Sequence, residues 1–175
     1  MADTMMEHEG IATPVEPRSL YKAARGKAPY RLSIYPKDRE TLEWAAALAA
    51  SLPRTTFLLD EYSFWYPTPL SVPAPGIMAI TRCGRKLNQS LFVVSQSPVA
   101  IYKHVVSQAS LWVFPLDEMN DVDYILRRTR GEIDARQIPP ISNGVAYLRA
   151  WHKREAQNYA LDLATLRLTT IRGPG

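Results

Sequence analysis

Between residues 30 and 128, short apolar runs alternate with amphipathic stretches of helical length, and prolines stand at many of the changeovers. Residues 30–35 predict a partly alternating strand that Pro36 stops. Asp38 is placed to cap the next helix, in which Leu42, Ala45, Ala46, Ala49 and Leu52 recur at helical spacing until Pro53. Residues 55–59 form a short run of strand formers that ends directly in Asp60-Glu61.

Residues 62–75 hold four prolines and several aromatics and predict a structured loop. Pro75 then suits a first helical turn, with Ile77, Ile80, Cys83, Gly84 and Leu87 as an approximate apolar stripe and Cys83 as a buried or half-buried helix residue. Residues 90–94 are apolar without alternation from Leu91 onward, as expected for a strand covered on both faces. Ser97-Pro98 opens a predicted helix with Val99, Tyr102, Val106 and Ala109 inward, residues 111–114 give a further strand, and Asp117 is placed to cap a helix containing Val122, Ile125 and Leu126.

This alternation, with crossovers long enough to bring each strand back parallel, predicts a layered α/β sheet. Residues 1–20 are polar and without sustained periodicity, which predicts an N-terminal arm. The α/β domain is expected over 21–138. Beyond it, 139–175 predicts a C-terminal β-hairpin and tail, from apolar stretches at 144–151 and 158–163 around a polar turn region, 152–157.

Composition narrows the function classes. At 175 residues with 46% hydrophobic and 22% charged side chains, the chain suits one soluble domain with a real core. It has no run of 18 apolar residues and no signal-like N-terminus, which predicts a cytoplasmic protein with no membrane role. One cysteine excludes an internal disulfide, and His8, His104 and His152 lack ligand spacing, which argues against zinc. Net charge is +4, with residues 1–18 at −3 and the remaining 157 at +7. A basic body of this kind attracts nucleic acid or simply forms a solvated face.

The carboxyl ends of parallel strands collect ligands, and three groups stand at or near that edge. Asp60 and Glu61 come first: one carboxylate can hold hydrated Mg²⁺ while its neighbour orients or deprotonates an attacking water, although such a pair also serves as a turn and cap. Gln96 follows the next strand, where a neutral amide can bond a phosphate oxygen or that water, or satisfy a nearby backbone group. Arg82, Arg85 and Lys86 lie near the end of the intervening helix, able to neutralise phosphoryl charge across a subunit boundary or to complement the helix dipole. Arg127, Arg128 and Arg130 form the best local candidate for phosphate-backbone contact, against a solvated surface or pairing with Asp121 and Asp123. Tyr62, Phe64, Trp65 and Tyr66 suit base stacking, subunit anchoring or loop packing.

Several motifs in this order resemble the later part of HerA/FtsK-type DNA-translocating and genome-packaging ATPases. They are Thr56-Phe57-Leu58-Leu59-Asp60-Glu61, the run from Arg82 through Gly84-Arg85 to Ser90, Val94-Ser95-Gln96-Ser97-Pro98, Val106-Ser107-Gln108-Ala109-Ser110 and Phe114-Pro115-Leu116-Asp117. The resemblance implies a three-layer, mostly parallel sheet like a P-loop NTPase core. It also implies Asp60 as the Mg²⁺-supporting acid, Glu61 as the catalytic carboxylate, Gln96 as the sensor and Arg85 as a basic residue acting between subunits. Ring-shaped hexamers that thread DNA are the family's usual assembly, which implies an oligomer and a place in the cytoplasm or a viral particle.

The family's phosphate loop is missing from this sequence. Such a loop needs a strand, a glycine-rich turn and Gly-Lys-Ser/Thr opening a helix, whereas the one Gly-Lys pair, Gly26-Lys27, is followed by Ala28-Pro29 and preceded by no apolar strand. In the family the strand before that loop lies between those matching 90–94 and 110–114, so its neighbours here need a substitute: the arm at 10–15, the terminal hairpin or another protein. Three functions follow as expectations. One is a degenerate, noncatalytic relative serving as a nucleic-acid-associated or structural assembly subunit, with no cofactor. Another is the second part of a split or truncated translocase that uses ATP and Mg²⁺ only with a phosphate-loop-containing partner. The third is an unrelated α/β interaction protein.

Overall fold

The structure, a computed structural model, describes residues 13–25 and 31–172. Residues 1–12, Gly26-Lys27 and Tyr30 lie outside the described residues, so the expectations placed on them stay expectations of the sequence. The chain divides into two compact units, residues 1–96 with 100–105, and residues 97–99 with 106–175.

The first unit opens with β1 (Thr13–Pro14), α1 (Leu20–Ala24) and β2 (Leu32–Ser33), the two strands forming a short parallel pair. The stretch around Gly10 to Val15 was one possible substitute for the missing strand; its described part pairs with Leu32 and Ser33 instead. Helix α2 (Arg39–Ser51) begins where the sequence predicts, because the Asp38 carboxylate accepts the Thr41 N–H at 2.7 Å. That bond also holds the Asp38 carboxyl below its ordinary pKa. Strand β3 (Thr56–Leu59) follows, then α3 (Tyr62–Trp65), α4 (Pro75–Cys83) and β4 (Ser90–Val93).

β3 and β4 pair in parallel, Thr56 to Ser90 through Leu59 to Val93. Their inner faces join Leu42, Ala45, Ala46, Ile77 and Ile80 in the main core, with Leu91 and Val93 packed against it from β4. Helices α2 and α4 approach so closely that a Cβ on Gly76 would sit 2.3 Å from the Ala46 carbonyl carbon. At the far end of α2, buried Gln89 donates its side-chain amide to the carbonyls of Ala49, Ala50 and Leu52, adding to the Leu52 N–H that Ala49 C=O already accepts where the helix ladder runs out.

Two expectations fail here. Residues 62–75 are not loop throughout, since α3 turns Tyr62, Trp65 and Tyr66 into the core and leaves Phe64 outside. Cys83 is exposed, because α4 runs into a 3-10 turn over Gly84–Leu87 that rotates the stripe and buries Gly84 in its place.

Helix α5 (Lys103–Gln108) crosses the division between the units. It is shorter than the helix predicted from Ser97: a 3-10 turn at Pro98–Ala100 precedes it, Ala109 is exposed, and the Ser97 hydroxyl bonds buried Asp121 at 2.9 Å. The second unit then contains β5 (Leu111–Val113), α6 (Met119–Arg128), β6 (Val145–His152), β7 (Glu155–Asp162) and β8 (Arg167–Ile171). The N-cap of α6 is Glu118 rather than Asp117. Val113, Val122, Ile125, Ile133, Ile138 and Trp151 form the core of this unit.

The sheets are mixed, which corrects the expectation of a mostly parallel one. β5 to β8 make a four-stranded antiparallel sheet in sequence order, so the predicted hairpin is the middle of a longer meander. β6 therefore takes one edge of β5. Among the described residues no strand pairs with the second edge of β5 or of β4. Phe92, Val94, Trp112 and Phe114 are all exposed on these two strands and the residues that follow them.

Candidate functional site

Asp60 and Glu61 leave the carboxyl end of β3, and the fold brings Gln96 to them from the end of β4. The parallel register sets Leu59 beside Val93, and the ladder continues one step past both strands: Val94 N–H donates to Leu59 C=O at 3.0 Å and Tyr62 N–H to Val94 C=O at 2.8 Å. Gln96, two residues on, donates its amide to Glu61 Oε1 at 2.9 Å. Glu61 and Gln96, 35 positions apart in sequence, thus meet at the carboxyl ends of the paired strands β3 and β4, beside Asp60.

The backbone at Glu61 is unusual. Its φ of 48° and ψ of 53° are left-handed, at a cost of roughly 1–2 kcal/mol for a residue with a Cβ. The surrounding bonds hold it there: Asp60 Oδ1 accepts the Glu61 N–H at 2.9 Å, and Phe64 N–H donates to Glu61 C=O at 2.9 Å. Both acids are half-buried, and Tyr62 directly behind them is fully buried. Desolvation raises the Tyr62 phenol to about 12. Its hydroxyl accepts the Tyr102 N–H at 3.4 Å, so it serves as packing and anchor.

A strand-end carboxylate such as Asp60 suits hydrated Mg²⁺, which takes one or two protein carboxylates and fills its other positions with water and phosphate oxygens. No cluster of three or more His, Cys, Asp or Glu able to enclose a metal occurs among the described residues. The nucleotide fits only in part. The acidic pair and Gln96 can face a metal and a water, but the 175 residues contain no glycine-rich Gly-Lys-Ser/Thr turn to wrap phosphates. What these residues can do by themselves is hold a cation and orient a water between a carboxylate and an amide.

The basic residues take different places. Arg82 donates to His104 at 3.4 Å, whereas Arg85 and Lys86 stand exposed on the 3-10 turn after α4. Of the second cluster, Arg127 donates to the Asp123 carbonyl and is exposed, and Arg130 is exposed with a φ of 56°. Arg128 is half-buried, donating to the Val106 carbonyl and lying 5.6 Å from the Trp151 ring centroid. Asp121 pairs with none of them: its carboxylate accepts from Ser97 and Val99. The sequence reading missed Glu61's left-handed backbone and the Gln89 cap, for neither is marked by a glycine or a capping pattern. A cavity of about 240 Å³ on the terminal sheet, lined by Val145, Asp162 and Arg167 among others, includes none of the acidic-edge residues.

No helix among the described residues is long and apolar enough to cross a membrane. Neither a family model nor a curated protein matches the chain. Solved structures do. The genome packaging NTPase B204 from Sulfolobus turreted icosahedral virus 2, in complex with AMPPCP, superposes with a TM-score of 0.63 at 15% identity, over 98% of this chain and 80% of that one. Its sulfate complex gives 0.63 and 15% over 98% and 78%. B204 from Sulfolobus Turreted Icosahedral Virus, described as a DNA-packaging ATPase, gives 0.60 and 14% over 99% and 82%. At this identity the likeness establishes the fold alone: the chain shares the α/β fold of these B204 structures.

Proposed function

We propose that this protein is a noncatalytic relative of the DNA-packaging ATPases that acts as a nucleic-acid-associated assembly subunit. It keeps the acidic and sensing half of a nucleotide site and turns over no nucleotide by itself. The observation that supports this reading is the meeting of Asp60, Glu61 and Gln96 at the ends of β3 and β4, with Glu61 in a left-handed backbone whose N–H and C=O are both bonded. Strain of this kind persists where surrounding structure over-determines it, and it collects at functional sites. In this reading Asp60 is the metal-supporting acid, Glu61 the carboxylate that orients water, Gln96 the sensor and Arg85 the residue offered to a neighbouring subunit of an oligomer. The setting is the cytoplasm or a viral particle.

The purified chain is expected to show neither tight Mg-ATP binding nor turnover, measured by calorimetry and phosphate release. Turnover by the chain alone that disappears in Glu61→Gln overturns the reading. The open edge of β4 favours a second reading, in which ATP and Mg²⁺ chemistry returns when a partner contributes the phosphate loop.

A further inference from the structure

We infer that the outward face of the β5–β8 sheet binds single-stranded nucleic acid, with unpaired bases stacking on Trp112 and phosphates meeting the cations at the β6–β7 turn. The inference rests on the nucleic-acid association proposed above and names a form of nucleic acid and a surface for it, apart from the arginines at the end of α6.

The sheet has two unlike faces. Leu111, Val113, Trp151 and Ala156 turn toward the core of the second unit. Side chains alternate along a strand, so the residues between them point the other way. The register puts Trp112, Ala150 and Gln157 in one row across β5, β6 and β7 on that outward face, and Leu148 and Tyr159 in the next row. The second face of an antiparallel sheet is ordinarily polar and solvated. Here it carries a ring pair: Trp112 and Tyr159 reach toward each other across β6 and stack, with centroids 5.7 Å apart and planes 20° from parallel.

The pair is set in place before any ligand arrives. Ala150 is small enough to leave room between the two flanking strands, and the Tyr159 hydroxyl donates to Gln157 Oε1 at 2.5 Å, which fixes the ring. Trp112 remains 53% exposed. Two rings already parallel, one of them open to solvent, form a platform that a third planar ring extends without rearrangement.

The surroundings of the platform select its ligand. His152 stands one row from Trp112 on the same face, with its Nδ1 bonded to Ser110 Oγ at 2.5 Å. Lys153 and Arg154 follow it, both exposed, and their positive φ values of 50° and 76° hold the two cations in a tight turn. Arg172 is exposed one residue past β8. From Pro139 onward five Lys or Arg stand against two acids, Glu155 and Asp162. A partner that is planar and apolar in one part and anionic in the next matches both features, and a nucleic-acid strand repeats that combination at every nucleotide. Unpaired bases can be splayed onto an aromatic side chain, whereas those of a duplex are stacked on one another.

The test titrates the full chain into a labelled oligodeoxythymidine of about 15 nucleotides and follows anisotropy and tryptophan emission. Binding is expected to quench emission. Trp112→Ala should weaken it about tenfold or more, and Trp112→Phe, which keeps a ring, should weaken it less while abolishing the quenching. Lys153→Asn combined with Arg154→Gly removes both cations in residues suited to the turn, and should reduce the log–log salt slope by about 0.7 for each. Circular dichroism establishes folding, and the turn variant keeps the test valid should Trp112→Ala unfold. Affinity unchanged in a folded Trp112→Ala, or binding without quenching, overturns the inference. A dimer seen by sedimentation and dispersed by Trp112→Ala overturns it as well, by assigning the face to a second copy. A duplex of the same length that binds while the single strand does not overturns the inference and leaves the nucleic-acid reading standing. Single-strand binding without duplex binding upholds the inference and removes the duplex from that reading.

Discussion

Single side chains in this protein are committed to different tasks by what surrounds them, and three of them give measurable consequences. Tyr62 ionises far less readily in the folded protein than in the unfolded chain, because its phenol is buried and its pKa is raised to about 12 from 10.0. A raised folded pKa means stability that is complete below about pH 10 and is lost as pH climbs toward 12. Alkaline unfolding followed by circular dichroism should show this fall, and Tyr62→Phe should flatten it, leaving smaller contributions from Tyr66 and Tyr124, which burial also shifts upward. Gln89 satisfies three carbonyls with one amide, so Gln89→Ala should cost about 1–3 kcal/mol in urea denaturation. The acidic pair was legible as a pair from its place after an apolar run. Its bond to Gln96 was not, since only the register of β3 on β4 brings residues so distant in sequence together.

Among the elements, the helix and strand cores follow the sequence closely and the junctions do not. Asp38 caps α2 as its position predicts, and Leu42, Ala45, Ala46 and Ala49 are buried, since a carboxylate before an amphipathic stretch acts locally. Gly76 is different, for its need to be glycine comes from Ala46 on another helix. Gly76→Ala should lower stability by about 3 kcal/mol or more, or prevent folding, as thermal melts would show. The turn between β6 and β7 is harder still to read. Lys153 and Arg154 both have positive φ, 50° and 76°, the conformation of a two-residue type I′ hairpin without the Asn-Gly that announces one. Replacing them by Asn-Gly should raise stability by about 1 kcal/mol and leave the pairing of His152 with Glu155 intact. β8 is not marked in the sequence for a similar reason, its turn being shaped by Asp162 accepting the N–H groups of Ala164 and Thr165 rather than by glycine or proline.

The whole molecule carries a net charge of +4, and its association with nucleic acid, if mediated by phosphate contacts, must weaken with salt. Titration of a DNA duplex across salt concentrations should give a log–log slope that falls by about one for each of Arg127→Ala and Arg130→Ala. Arg128→Ala should instead lower stability, because that side chain spans the Val106 carbonyl and the Trp151 ring. A slope unaffected by the two exposed arginines removes that patch from the proposed nucleic-acid surface.

The alternation of apolar runs and amphipathic stretches already specified an α/β chain, its main helices and strands and the acidic pair at a strand end, because each is a local property of a few neighbouring residues. Strand direction and partner choice are not local. The same apolar run serves a parallel or an antiparallel ladder, so the mixed sheets, the meander built on β5 and the bare second edge of β4 emerged only when distant segments met. Left-handed backbone at Glu61 belongs to the same class: the ladder from Leu59 to Tyr62 holds it, and no residue type in the sequence announces it.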